Sequence, residues 1–249
     1  MKHVIALLLC LGFAGPGYAG KMDKKTSDFV AANLIAVLYH EFGHALIDIM
    51  KLPIFGQEED AADVLSAVLI HEIFKEETAV RIARATAFGF LGDKPIEKAL
   101  NEQPAFWDVH GTDLQRYYTF VCLFYGANPT QRREIARELQ LPDGRAETCV
   151  EEFELANNSW GPVLDQLRDN GAGRTIRFLA DHRTDEFGKL TADVMRMEVT
   201  ELNSDLSLPK RLLVRVEPCD TVNAFYDPKS REIIMCTEFA EFLFQVAPG

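Results

Sequence analysis

The chain has 249 residues and a formal net charge of -12, from 38 acidic side chains against 26 lysines and arginines. No basic cluster offsets that excess, which argues against a nucleic-acid or anionic-membrane partner. The length allows one sizeable core or two small ones, and the composition is that of an ordinary globular protein.

Residues 1–19 read as a secretory signal peptide. Lys2 and His3 precede the apolar run Val4–Ala14, and Gly17-Tyr18-Ala19 follows it, so cleavage is expected after Ala19. The run is short for a bilayer, no later stretch is expected to be long enough, and Leu9 before Cys10 argues against a lipoprotein anchor. The expectation is an exported protein, periplasmic or secreted, with no stable membrane anchor.

Residues 20–171 form a helical region. Thr26 or Ser27 can cap a helix that reaches about Lys51, and Pro53 and Gly56 mark its break. A second helix starts near Gln57 and passes Leu69, with acidic residues in the first turn where the helix dipole favours them. A third covers Glu76–Phe90. Gly92, Asp93 and Pro95 open an irregular stretch up to Pro104. Further helices are predicted over Asp108–Tyr125, Thr130–Leu139 and Ala146–Asp169.

Residues 172–249 form a β-containing region that packs on the same body. The pattern is mixed between Gly173 and Glu201. Then Leu212, Val214 and Val216 alternate with Leu213, Arg215 and Glu217, the period of a strand. A second strand is predicted over Arg231–Cys236, and a short helix over Glu238–Gln245. The fold class is α+β and mostly helical.

Four cysteines follow the signal: Cys122, Cys149, Cys219 and Cys236. An even number in an exported chain points to two disulfides. Nearest-neighbour pairing is preferred, Cys122 with Cys149 and Cys219 with Cys236, because each pair brackets a compact unit. The second pair would staple two neighbouring strands. A cysteine metal site is the rival, but the close pairs it favours are missing.

The chemistry sits in the first helix, in His40-Glu41-Phe42-Gly43-His44. Residues four apart share a helix face, so the two imidazoles can close on one zinc ion with Glu41 beside it. Gly43 is expected to leave room beside the metal. Glu59 and Asp63 follow on the second helix, again four apart. Glu59 is favoured as third ligand, with Glu58 its main rival. Asp63 can accept the free N–H of a metal-bound histidine and fix its tautomer. Two histidines and a carboxylate leave a fourth position open, the ligand set of a hydrolytic zinc site. The competing reading is an amphipathic helix with two ordinary histidines.

This arrangement resembles the gluzincin type of metallopeptidase. More closely, the chain is similar to a family of mostly bacterial proteins taken to be metallopeptidases and defined as a domain of unknown function. The likeness covers nearly all of the mature chain. It rests on Tyr39–Leu46, Glu58–Asp63, Phe106-Trp107-Asp108 with His110, Gln115-Arg116 before Cys122, Asn223–Pro228 and Cys236. By that resemblance His40, His44 and Glu59 would be ligands and Glu41 the catalytic base. One departure is visible. In the common zinc-peptidase plan a sheet precedes the metal helix and offers an edge strand to the substrate. Here the clear strands come later, so they would have to fold back onto the helix in permuted order.

Other residues carry weaker signals. His110 can donate to an oxyanion, or it can cap or pack the helix after it. Tyr226 is a candidate of the same kind, against a turn aromatic that packs the sheet. His71 reads as structural, His182 as surface, Arg116 as an ion-pair partner and Trp160 as core. The leading reading is an exported zinc metallopeptidase acting on a peptide or protein substrate. A non-catalytic zinc-binding envelope protein is the alternative, and a disulfide-stapled binding module without metal is the third.

Overall fold

The computed structural model describes residues 22–92, 94, 96–100, 107–180 and 185–248. The expected signal peptide, Phe106 and His182 fall outside the described residues. Asp23, rather than Thr26 or Ser27, caps α1 (Lys24–Met50), accepting the Thr26 backbone N–H at 2.7 Å. A carboxylate three residues earlier serves the same orphan donor, so the helix starts sooner. Lys51, with φ at 55°, ends it in the left-handed region.

Val30, Leu34, Ala36, Tyr39, Phe42 and Ile47 of α1 are all buried, and at 100° per residue they lie round most of the helix. A helix apolar on every side is a core helix. By length and composition it could also cross a membrane, contrary to the expectation that no later stretch would be long enough. Its most apolar window is 83 % buried against the rest of the protein.

α2 (Glu58–Ile73) and α3 (Glu76–Leu91) pack on α1. The short α4 (Ile96–Ala99) follows, then α5 (Asp113–Ala127), α6 (Pro129–Glu138), the short α7 (Asp143–Ala146) and α8 (Cys149–Asp169). α5 begins later than the expected Asp108. Thr112 caps it, its hydroxyl accepting the Gln115 N–H at 3.2 Å. Residues 107–112 are therefore outside the helix, which frees His110 to turn elsewhere. Cys122–Cys149 joins α5 to the start of α8.

The mixed segment resolves into β1 (Ile176–Ala180) and α9 (Glu186–Asp205). β2 (Leu212–Glu217), β3 (Ala224–Asp227), β4 (Glu232–Cys236) and α10 (Thr237–Val246) complete the chain. The strand order is β1-β2-β4-β3. β1 and β2 run parallel with Phe178 opposite Val214, and α9 supplies the crossover that parallel strands need. β2 and β4 are also parallel, while β3 is antiparallel to β4 with Tyr226 opposite Ile233. Cys219–Cys236 ties the loop after β2 to the last residue of β4.

The late strands do fold back. α1 packs against α9, α10, β3 and β4 as well as against α2 and α3. Buried apolar residues of both regions form one cluster. The result is a mostly helical α+β protein in which the edge strand β3 lies on the helix carrying His40.

Candidate metal centre

Two helices adjacent in sequence bring the site together. His40, Glu41 and His44 lie on α1, and Glu58, Glu59 and Asp63 lie on the first two turns of α2. The approach of the two helices depends on Gly43. A Cβ there would lie 2.8 Å from the Ala62 Cα and 3.1 Å from its Cβ. The open face of Gly43 is thus filled by α2, not kept clear for a metal as expected. Ala62 stands between Glu59 and Asp63, so this contact sets how far both carboxylates reach.

Each histidine is held from behind by a carboxylate. His40 Nδ1 is 2.7 Å from Asp63 Oδ1, and His44 Nδ1 is 2.8 Å from Glu58 Oε1. These partners assign the Nδ1–H tautomer to both neutral rings. Both Nε2 atoms then carry bare lone pairs, and they lie 3.2 Å apart. Glu59 Oε2 is 3.1 Å from the first and 3.3 Å from the second. With both rings neutral, three acceptors converge with no hydrogen to share. Ligands about 2.0–2.1 Å from a tetrahedral zinc ion stand roughly 3.3–3.4 Å from one another. The donor set and its spacing fit such an ion.

The charges carry the same signature. Burial, the largest influence, disfavours charge on His40, yet bonds to Asp63 and Glu59 outweigh it and raise the imidazole to about 9. His44 is also raised, as bonds to Glu59 and Glu58 overcome its burial. Burial pulls Glu59 upward, but its bonds to both histidines and the nearby imidazole charges hold it well below the usual carboxylate range.

Glu41 differs from these groups. It is 6 % exposed, and burial pushes its carboxyl up to about 7, against the opposing pull of His40 and His44. The Tyr226 backbone N–H points at the same carboxylate. The base candidate therefore lies between the metal helix and the outer edge of β3.

The remaining site residues fall into place around this centre. His110 reaches in from its irregular segment, with Nε2 3.0 Å from Glu59 Oε2 and Nδ1 3.2 Å from Asp108. His40, Glu59 and His110 alone would form a metal-sized cluster. The Tyr226 hydroxyl donates to Asp48 Oδ2 at 2.8 Å, one turn of α1 beyond His44. Arg116 clamps both oxygens of Asp63, at 2.7 and 2.8 Å, and stacks over Phe90. His71 lies elsewhere, against Arg132 and Phe153, and Trp160 is core.

The family model DUF4344, whose description reads "Putative metallopeptidase", matches residues 13–164 and 183–246. The chain belongs to this family. No curated protein and no solved structure matches the chain. The family description implies a metal, and the His/Glu cluster on α1 and α2 is a candidate to hold it in this metallopeptidase-family chain.

Three features of the family member escape sequence reasoning. Glu58 lies against His44 Nδ1, a contact that only the rotation of α2 decides. Tyr39, beside His40, donates to the buried Glu198 of α9 at 2.6 Å, so α9 buttresses the metal helix. The third is a cavity of about 490 Å³ that opens beside His40 and Glu41 and runs along α1 towards its N-terminus. Six separate segments line it, and no local motif announces it.

Proposed function

We propose that the protein is an exported zinc metallopeptidase, with His40, His44 and Glu59 holding the ion and Glu41 as general base. The observation that carries this reading is the convergence of three lone-pair atoms, 3.1–3.3 Å apart, beside a buried carboxylate. Two disulfides support an oxidising compartment and hence export.

Zinc in this position would supply a Lewis acid that acidifies water and polarises the scissile carbonyl. Glu41 takes the proton of the attacking water and returns it to the leaving amine. Its raised affinity for a proton suits both transfers near neutral pH. Asp63, fixed by Arg116, and Glu58 keep both imidazoles in the binding tautomer. The outer edge of β3 offers backbone groups to an extended peptide. Tyr226 holds β3 on α1 through Asp48, and His110 donates to the oxyanion.

Replacing Glu41 by Gln tests the assignment. Zinc should stay bound, and peptide hydrolysis should fall about 10²- to 10⁴-fold. Undiminished hydrolysis in that variant defeats it.

One observation favours the non-catalytic alternative. His110 stands close enough to Glu59 to serve as a fourth protein ligand and close the site. His110→Ala separates the readings. An oxyanion donor loses kcat at constant zinc affinity, whereas a fourth ligand loses zinc affinity itself.

A further inference from the structure

The cavity beside Glu41 has a chemistry that the metal centre does not explain. Its floor is the α1 face Asn33, Ala36, Val37, His40 and Glu41, residues three or four apart. One side wall is Phe90 of α3 and Phe120 of α5. The other is Phe239 and Leu243 of α10, with Val222 at the rim.

The polar donors that line it from buried or half-buried positions are occupied, while Lys94, His110, Asp113 and Asn223 line it from exposed positions. Asn33 Nδ2 donates to the backbone oxygens of Phe29 and Ala85 at 3.0 and 3.1 Å. The Ser66 hydroxyl donates to Ala36 O, and that of Thr86 to Ile82 O, each at 2.9 Å. Arg116 is held by Asp63. A polar occupant would give up its water for few partners, whereas an apolar one displaces water from the rings of Phe90, Phe120, Phe239 and Phe242. Val37 lies one turn from Glu41, about 6 Å along the helix axis. That is the reach of a side chain belonging to a residue next to the bond Glu41 serves.

We propose that this chamber is a subsite for one large apolar side chain, so that the substrates are peptides with an aromatic or branched aliphatic residue beside the scissile bond. The proposal rests on the peptidase reading for the chemistry but on the chamber alone for the preference.

The test uses the zinc-loaded protein and peptides that differ at one residue, Ala, Leu, Phe, Asp or Lys. Phe and Leu peptides should exceed the Ala peptide in kcat/KM by about 10- to 100-fold, the factor expected for burying such a side chain. Val37→Trp fills the chamber and should bring the Phe-to-Ala ratio to within about threefold of unity. Val222→Trp, from a half-exposed position, repeats the test should the first variant be unstable. The same ratio should appear in peptide affinity for zinc-loaded Glu41→Gln, measured calorimetrically without turnover.

The two readings fail differently. Cleavage indifferent to side chain, or favouring Asp or Lys, overturns the subsite and leaves the peptidase standing. No cleavage of any peptide, with the binding ratio intact in Glu41→Gln, overturns the peptidase and leaves the subsite standing.

Discussion

Replacing Gly43 by Ala should perturb the candidate metal centre without touching a proposed ligand. The added methyl would lie 2.8 Å from the Ala62 Cα and 3.1 Å from its Cβ. Carbon atoms rest at about 3.5–4.0 Å, so α2 must retreat by roughly 0.7 Å or more. Two effects on stability oppose each other. Alanine gains about 1 kcal/mol over glycine in a helix interior, and overpacking costs about 1–3 kcal/mol. The net loss should be about 0–2 kcal/mol, small enough for the variant to fold. The effect on the metal should be larger. Glu59 and Asp63 flank Ala62 on α2, and a displacement of roughly 0.7 Å exceeds the ~0.2 Å tolerance of a coordination distance. Zinc affinity should fall about 10- to 100-fold, the range seen when the support of a ligand is lost. Competition with a chromophoric chelator reads the affinity, and thermal unfolding in chelator reads the metal-free stability. Affinity within twofold of the parent protein, at unchanged melting temperature, would refute the idea that this crossing sets the ligand geometry.

The metal-free protein should be sensitive to alkali. His40 is raised in the folded state from 6.5 to about 9, so its contribution to stability is complete below pH 6.5 and is lost as pH rises through 9. Glu41, raised from 4.5 to about 7, loses its contribution over the lower window, in the same direction. Melting temperatures in chelator should fall between pH 6.5 and 9, and zinc should flatten that slope by occupying the imidazole lone pairs; a flat metal-free profile contradicts the acceptor cluster. Arg116→Met leaves the largely buried Asp63 carboxylate with His40 as its remaining partner, so stability should drop by roughly 3–5 kcal/mol. Zinc affinity should fall about tenfold in the same variant, and Arg116→Lys should recover part of both losses. Equal melting temperatures for Met and Arg at this position would show that the clamp is dispensable.

The parts of the site that the sequence made legible are those built from helix spacing. His40 and His44, Glu59 and Asp63, each four apart, fall on facing sides of two consecutive helices, and the intervening turn is marked by Pro53 and Gly56. Both disulfides were legible from cysteine order. α9 was harder. Thr191, Val194, Met195, Val199 and Leu202 make a helical stripe, but Glu198 sits inside it and hides the period. That carboxylate is buried because Tyr39 binds it, a partner 159 residues away. His110 illustrates the same limit. Its segment follows no periodic pattern, and its approach to Glu59 depends on where Thr112 starts α5. That Glu59 faces both Nε2 atoms while Glu58 faces His44 Nδ1 is a matter of helix rotation, which spacing alone does not give. The reason for Gly43 was misread because a missing side chain looks the same from sequence whether a metal or a helix fills the space.

The placement of the late elements has a consequence for biogenesis. The proposed ligands come from a local helical hairpin, which can associate as soon as its own residues are available. The cleft above it waits for the C-terminus, because β3 and α10 must travel back across the whole helical body to reach α1. Contacts this distant in sequence form late. Cys219–Cys236 then locks the rim segment to the end of β4, where α10 begins, a reaction that requires an oxidant. A nascent or reduced chain could bind its ion and still lack a finished place for a polypeptide. On the proposed peptidase reading, assembly order would delay activity until β3 and α10 have docked on α1.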